Sequence, residues 1–251
     1  MQTSNNEKYL RRWHEISYPD FINSGSSKPK WIKYLKGGSF RKWYGNLEYA
    51  LWFNCDPGFI TKQPNATVLP LSRLCEEKCT WSDISSGIFA ARYAPKDSFH
   101  DLAGHCFYPS EKLLPYLLAF TNSKPFDLFI GLLSSTVHFQ VGDVAKVPVL
   151  TVGGDIGDKA RLLVEKARLD WDAYERSWDF QSLPCLSVST DPNPNLESSY
   201  AGWIASNKQT IDEMKWLEEE NNRLFIDTYD LQDELTPEVP IEQITLTVNP
   251  A

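Results

Sequence analysis

The sequence predicts an α+β fold: a mixed β-sheet with packed helices over about residues 20–152, followed by long helices with an acidic surface over 153–251. Three observations carry this. Short β-prone runs between Trp31 and Tyr93 are separated by Gly, Pro, Asn and Asp, the punctuation of a turn-rich sheet. Residues 111–122 and 126–134 are apolar on most faces, as core helices are. Residues 158–178 and 200–231 read as long helices rich in charge, and residues 151–251 hold twenty Asp/Glu.

Residues 6–16 place Tyr9, Leu10, Trp13 and Ile16 at helical spacing with Lys8, Arg11 and Arg12 opposite, so residues 1–19 read as an amphipathic helix and its linker. Residues 47–53, 80–84 and 88–93 read as strands, with Ser85-Ser86-Gly87 as a hairpin turn between the last two. Pro115 suits the first turn of the earlier core helix. Strand character returns at 136–141 and 147–152, and 158–178 reads as a long charged helix. Residues 181–199, rich in Pro and Ser, read as a linker, and 200–231 as a second long helix rich in Glu, Asp and Asn.

With 251 residues, 42% of them hydrophobic, the chain can bury a core. The net charge of -8 speaks against nucleic acid until it is divided along the chain. Residues 1–50 hold nine Lys/Arg against four Asp/Glu, 51–150 eight against nine, and 151–251 eight against twenty. Such asymmetry is expected where a nucleic-acid-facing segment joins a solvated or partner-binding one. Five cysteines without framework spacing, and no charged-then-apolar leader, point to a reducing cytoplasm. The longest apolar stretches, 113–120 and 126–133, fall short of the roughly 20 residues a membrane helix needs.

The informative constellation is residues 28–53. Eight aromatics (Trp31, Tyr34, Phe40, Trp43, Tyr44, Tyr49, Trp52, Phe53) interleave with Lys33, Lys36, Arg41 and Lys42 around Gly37-Gly38. Cations neutralise phosphates, glycines let backbone N–H groups approach them, and flat rings stack on bases. Lys36, Arg41 and Lys42 are therefore expected at phosphates, because three cations beside a Gly-Gly turn have no evident core use. Gly37 and Gly38 are expected to offer backbone there, and Trp43 and Tyr44 to offer rings. Tyr49, Trp52 and Phe53 read as core. Ser85, Ser86 and Arg92 suit either a structural turn or a bond to phosphate or a base edge, and Gln140 joins them as a contact candidate.

Catalytic signatures are weak. Asp56-Pro57-Gly58-Phe59 comes nearest to an Asn/Asp-Pro-Pro-aromatic loop for a flipped adenine, but Gly replaces the second proline. Residues 147–157 run strand, glycines, helix, yet a fingerprint glycine is missing and Pro148 interrupts the strand, so a capped helix start is the better reading. Cys75 and Cys79 with His100, His105 and Cys106 offer zinc-type donors without zinc spacing, and read as ordinary buried or surface residues. No Gly-x-Ser-x-Gly elbow supports a hydrolase.

Residues 34–46 (YLKGGSFRKWYGN), 80–87 (TWSDISSG), 116–124 (YLLAFTNSK) and 139–148 (FQVGDVAKVP), in that order, resemble the region after the catalytic domain in PglX-type adenine-specific DNA methyltransferases of bacterial BREX phage-defence systems. Residues 168–180 and 218–226 are similar to that family's helical tail. The resemblance implies that 20–152 is a target-recognition domain that grips double-stranded DNA and that 153–251 is a helical C-terminal region. It also implies that S-adenosylmethionine and the catalytic residues belong to the catalytic domain of the parent protein, so that this chain holds no cofactor itself. The alternative is a protein-interaction module in which 155–235 docks other proteins of the defence complex.

Overall fold

The computed structural model describes residues 3, 5–21, 29–52, 54, 62, 70, 72–73, 76–84, 87–134, 136–151, 153–186 and 195–249. Among these are seven short strands in two sheets and six α-helices, the α+β architecture that the sequence predicts. The first sheet is mixed, in the order β1 (Leu10–Arg12), β3 (Tyr49–Trp52), β2 (Trp31–Leu35), β6 (Ser98–His100). β3 runs antiparallel to β1 and β2, while β6 lies parallel to β2 with Tyr34 opposite Phe99. The second sheet is antiparallel, in the order β5 (Ala91–Ala94), β4 (Lys78–Ser82), β7 (Gly104–Phe107).

The apolar segments form α2 (Leu114–Thr121) and α3 (Lys124–Leu133), and α2 packs on β4 and β5. Pro115 occupies the first turn of α2 and Pro125 that of α3, where no N–H is needed. The Ser123 hydroxyl caps α3 by accepting from the Phe126 N–H. The long helices are α5 (Ile156–Asp172) and α6 (Leu196–Thr228, 33 residues). α6 begins in a reciprocal box, the Ser198 N–H donating to Asn195 Oδ1 and the Asn195 N–H to Ser198 Oγ.

Three local expectations are corrected. The N-terminal helix α1 covers only Asn6–Tyr9, because Leu10–Arg12 gains strand partners along β3. Residues 136–141 form no strand beyond a single bridge from His138 to Ile84, and Val141–Val144 is instead a helical turn, α4. At 147–151 there is no strand either: Pro148 cannot donate to a ladder, and the Pro148 carbonyl accepts from the Tyr229 hydroxyl at the end of α6.

Residue 152 does not divide the core. One cluster runs from Leu35, Trp43 and Trp81 through Phe120 and Phe126 to Trp171, Met214, Phe225, Ile244 and Leu246. A smaller one, Tyr9, Leu10, Ile32, Tyr34, Leu51 and Phe99, covers a face of the mixed sheet, with Tyr49 and Trp52 at its border. Beyond α5, Trp178 stacks on Phe21 at 3.8 Å and donates through Nε1 to the Leu47 carbonyl, tying the two halves together again. Gly45 sits where the halves meet. Its φ is +124°, and a Cβ there would lie 2.5 Å from Arg41 Cδ and 2.8 Å from Trp171 Cε3. We therefore expect Gly45→Ala to destabilise the chain by about 1–3 kcal/mol through strain and overlap together. Urea unfolding followed by circular dichroism checks this, and an unchanged midpoint refutes it.

Candidate nucleic-acid interface

Four turns from distant parts of the sequence meet at one surface. The first leaves β2 through Lys36-Gly37-Gly38; Gly37 has φ +80°, and a Cβ there would stand 2.8 Å from the Ala103 carbonyl oxygen, so only glycine lets this turn lie against residues 101–104. The Ser82 hydroxyl donates to the Gly38 carbonyl (3.0 Å) and the Asp83 N–H to the Ala103 carbonyl (3.0 Å). The Phe139 N–H donates to the Asp83 carbonyl (2.7 Å), while Trp81 Nε1 donates to the Phe139 carbonyl (2.7 Å). Residues 36–40, 82–84, 101–104 and 137–140 are thus bonded into one surface.

That surface shows side chains of a kind usually buried. Phe40 is 39% exposed, Ile84 62% and Val137 53%, and Gly38, Ser39 and Gln140 are also exposed. A cleft of about 210 Å³ opens among Ser39, Phe40, Ser82, Ile84, Ile88 and Phe139, with Arg92 at its base. Lys36 is half-buried at the border, its ammonium 5.2 Å from the centre of the Tyr49 ring.

The remaining cations of the constellation face inward, which corrects their assignment to phosphates. Arg41 and Lys42 are buried. Arg41 donates to Asp170 on α5 (3.4 Å) and to the Thr247 hydroxyl (2.9 Å), and its guanidinium lies over the Trp171 ring. Burial, with Arg176 nearby, lowers its pKa from the ordinary arginine value, and Asp170 opposes that shift. Lys42 Nζ donates to Glu218 Oε2 on α6 (2.6 Å), and Glu218 Oε1 accepts from Trp43 Nε1 (2.7 Å). Trp43 and Tyr44 are buried in the main core, so neither ring is presented for stacking.

Arg92 is buried too, donating to the Arg41 carbonyl (3.2 Å) and to Ser82 Oγ (3.4 Å). Desolvation pushes its pKa down to about 10; it braces the cleft from beneath. β4 and β5 are antiparallel neighbours, but Ser85 and Ser86 lie outside the described residues. Of the expected contacts, the structure gathers Lys36, Gly37, Gly38 and Gln140 around one surface and sends Arg41, Lys42, Trp43, Tyr44 and Arg92 inward.

The acidic C-terminal segment is corrected by the same pairs. Glu218, on a helix expected to carry an acidic surface, is 2% exposed. Asp170 and Glu218 pair with cations of the first fifty residues, and Asp179 lies 3.8 Å from Lys33. A signal for this lay in the helices: Asp170 follows Leu163 and Ala167 on the buried stripe of α5, and Glu218 interrupts Ile211, Met214, Leu217 and Phe225 on that of α6. An acid on an apolar stripe calls for a buried donor. Sequence reading also missed Asp83, which accepts from His105 Nε2 (3.2 Å) and His138 Nδ1 (3.0 Å). No local spacing signals that trio, which only the meeting of the turns creates.

Among the described residues of 147–157 no strand precedes α5, and a Cβ at Gly153 or Gly154 would touch nothing within 4 Å. Residues 56–59 and Cys75 lie outside the described residues. Cys79 and Cys106 are buried free thiols on adjacent strands. Among the described residues no group of three His, Cys, Asp or Glu could hold a metal ion, and no helix is long and apolar enough to cross a membrane.

No family model matches the chain. It is 34% identical over 254 residues to the adenine-specific methyltransferase PglX of Lacticaseibacillus casei (strain Zhang), an alignment covering 95% of this chain and 21% of that protein. It is 30% identical over 244 residues to the adenine-specific methyltransferase BrxX of Escherichia coli O9:H4 (strain HS), covering 96% and 20% respectively. The chain therefore spans about a fifth of the length of the curated relatives it matches.

Removing one partner of a buried pair strands the other. Glu218→Ala leaves the Lys42 ammonium and the Trp43 indole N–H without their acceptor, and we expect a loss of about 3–5 kcal/mol in urea unfolding. Glu218→Lys, which sets two ammonium groups together, is expected to prevent folding. A Glu218→Lys chain with the unfolding midpoint of the parent would return this acid to a merely solvated role.

Proposed function

From the premise that the chain corresponds along nearly its whole length to one segment of PglX-type adenine-specific methyltransferases, we propose that it selects the DNA sequence in which adenine is methylated. The surface of residues 36–40, 82–84, 101–104 and 137–140 is the part that meets the duplex. One observation carries this reading: four separately encoded turns are bonded together, yet hold Phe40, Ile84 and Val137 in solvent beside Gln140. Apolar side chains standing among amide and hydroxyl groups suit groove edges, where thymine methyls alternate with donors and acceptors. Lys36 at the border supplies a phosphate contact that positions rather than specifies.

Binding of S-adenosylmethionine and methyl transfer are assigned to the remaining four-fifths of such a protein, which works in the cytoplasm as part of phage defence. A second observation favours a role in docking that remainder. The first turns of α6 present Leu196 (81% exposed), Tyr200 and Ile204 at i, i+4 and i+8 on one stripe, the pattern of a helix awaiting a partner surface.

The test is fluorescence anisotropy of labelled duplexes at two salt concentrations. Phe40→Ala and Ile84→Ala should weaken binding to preferred sequences more than to scrambled ones while leaving the salt slope unchanged. Lys36→Ala should weaken both alike and reduce the slope by about one unit. Arg41→Ala and Lys42→Ala should act through folding alone. If the three surface variants bind as the parent does, this surface is not the interface and the docking role stands alone.

A further inference from the structure

Resting on that reading, we infer that His138 is a specificity-determining residue whose bare Nε2 accepts a hydrogen bond from an exocyclic amino group, adenine N6 or cytosine N4, in the major groove. The argument begins with Asp83. Its carboxylate accepts from His138 Nδ1 through one oxygen (3.0 Å) and from His105 Nε2 through the other (3.2 Å). A carboxylate has acceptors only, so each neutral ring must carry its proton on the nitrogen facing Asp83. For His138 that leaves Nε2 as a lone pair on the opposite side of the ring, and the bond at one nitrogen fixes the role of the other.

The lone pair is available and held still. The His138 side chain is 43% exposed, and among the described residues nothing bonds its Nε2. Its backbone is fixed from both sides: the His138 carbonyl accepts from the Ser134 hydroxyl (2.8 Å) and its N–H donates to Thr136 Oγ1 (3.2 Å). The next residue is tied to Asp83 by main chain, and His138 itself bridges to Ile84. A ring locked in both orientation and tautomer discriminates, because a fixed acceptor meets an amino donor favourably and a guanine O6 or thymine O4 unfavourably. Exposed Val137 and Ile84 flank it, giving an apolar surround in which an unmatched lone pair is penalised.

The experiment uses the full chain at about pH 8. A random duplex library is selected by binding and sequenced. Each adenine or cytosine of the selected site is then replaced in turn by purine or pyrimidin-2-one, which lack the amino group. The parent chain should lose roughly tenfold in affinity at one position. His138→Ala should bind the selected duplex about tenfold more weakly, be indifferent to the missing amino group at that position, and stay sensitive elsewhere. Asp83→Asn offers one donor and one acceptor in place of two acceptors, so it frees the tautomer and should relax the preference at the same position. Should His138→Ala fail to fold, His138→Phe keeps the ring volume and reads the same quantity. If the parent and the His138 variant lose the same factor at every position, the inference is overturned while the interface stands. If the parent selects no sequence, the interface reading falls and this inference with it.

Discussion

The Lys42 ammonium is taken out of water against the carboxylate of Glu218 on α6, and the rest of the front of the molecule follows from that placement. Desolvating an isolated ammonium costs several kcal/mol, a cost that must be offset at close range. Glu218 meets it at 2.6 Å and uses its second oxygen on the Trp43 indole. Arg41 is answered in the same way by Asp170 and Thr247. Because these partners lie over 120 residues away in sequence, the bonds fasten the loop after β2 onto α5, α6 and residues 245–247 at once. With residues 41–44 drawn inward, the turn before them has one direction left, and Gly38, Ser39 and Phe40 emerge into solvent.

Trp43 shows how tightly that loop is specified. It adopts φ +69°, a conformation that is costly for a bulky side chain. Its N–H donates to the Ala91 carbonyl, its carbonyl accepts from the Tyr93 N–H, and its indole donates to Glu218. Three bonds and complete burial over-determine the strained residue. The same bracket sets Arg92 under the cleft, where its guanidinium bonds the Arg41 carbonyl.

Much of the fold was legible because it is written in local periodicity. The helices containing Pro115, Pro125 and Trp171 were legible from the sequence, and so was most of the long helix ending at Thr228, but its first turn was not: Leu196–Ser199, with its Asn195 cap, reads as part of a Pro- and Ser-rich linker. The candidate interface was legible only in part. A run such as Gly-Gly-Ser-Phe-Arg-Lys-Trp-Tyr has the same composition whether its cations face phosphates or buried carboxylates. What separates the two is an acid on the apolar stripe of a helix encoded far downstream, as Asp170 and Glu218 are. Residues 136–141 misled for a related reason: alternation suggests a strand, but among the described residues its strand-type backbone pairing is confined to Asp83 and one bridge to Ile84. Charge counted along the sequence was misleading as well, since part of the basic excess at the front is neutralised by part of the acidic excess at the back inside one core.

That internal neutralisation bears on how the proposed interface would work. Cations spent on Asp170 and Glu218 release no counterions from DNA, so the surface would rely less on salt-sensitive attraction and more on fit at base edges. Support and readout are also separated along the chain. Arg41, Lys42, Trp43 and Arg92 hold the turns from beneath, while Phe40, Ile84, Val137 and Gln140 stand at the tips and touch little of the core. A substitution below collapses the platform, whereas one above changes only what the platform presents. On the proposed reading, the preferred DNA sequence can therefore change through a few tip residues while the fold beneath them is held by its buried ion pairs.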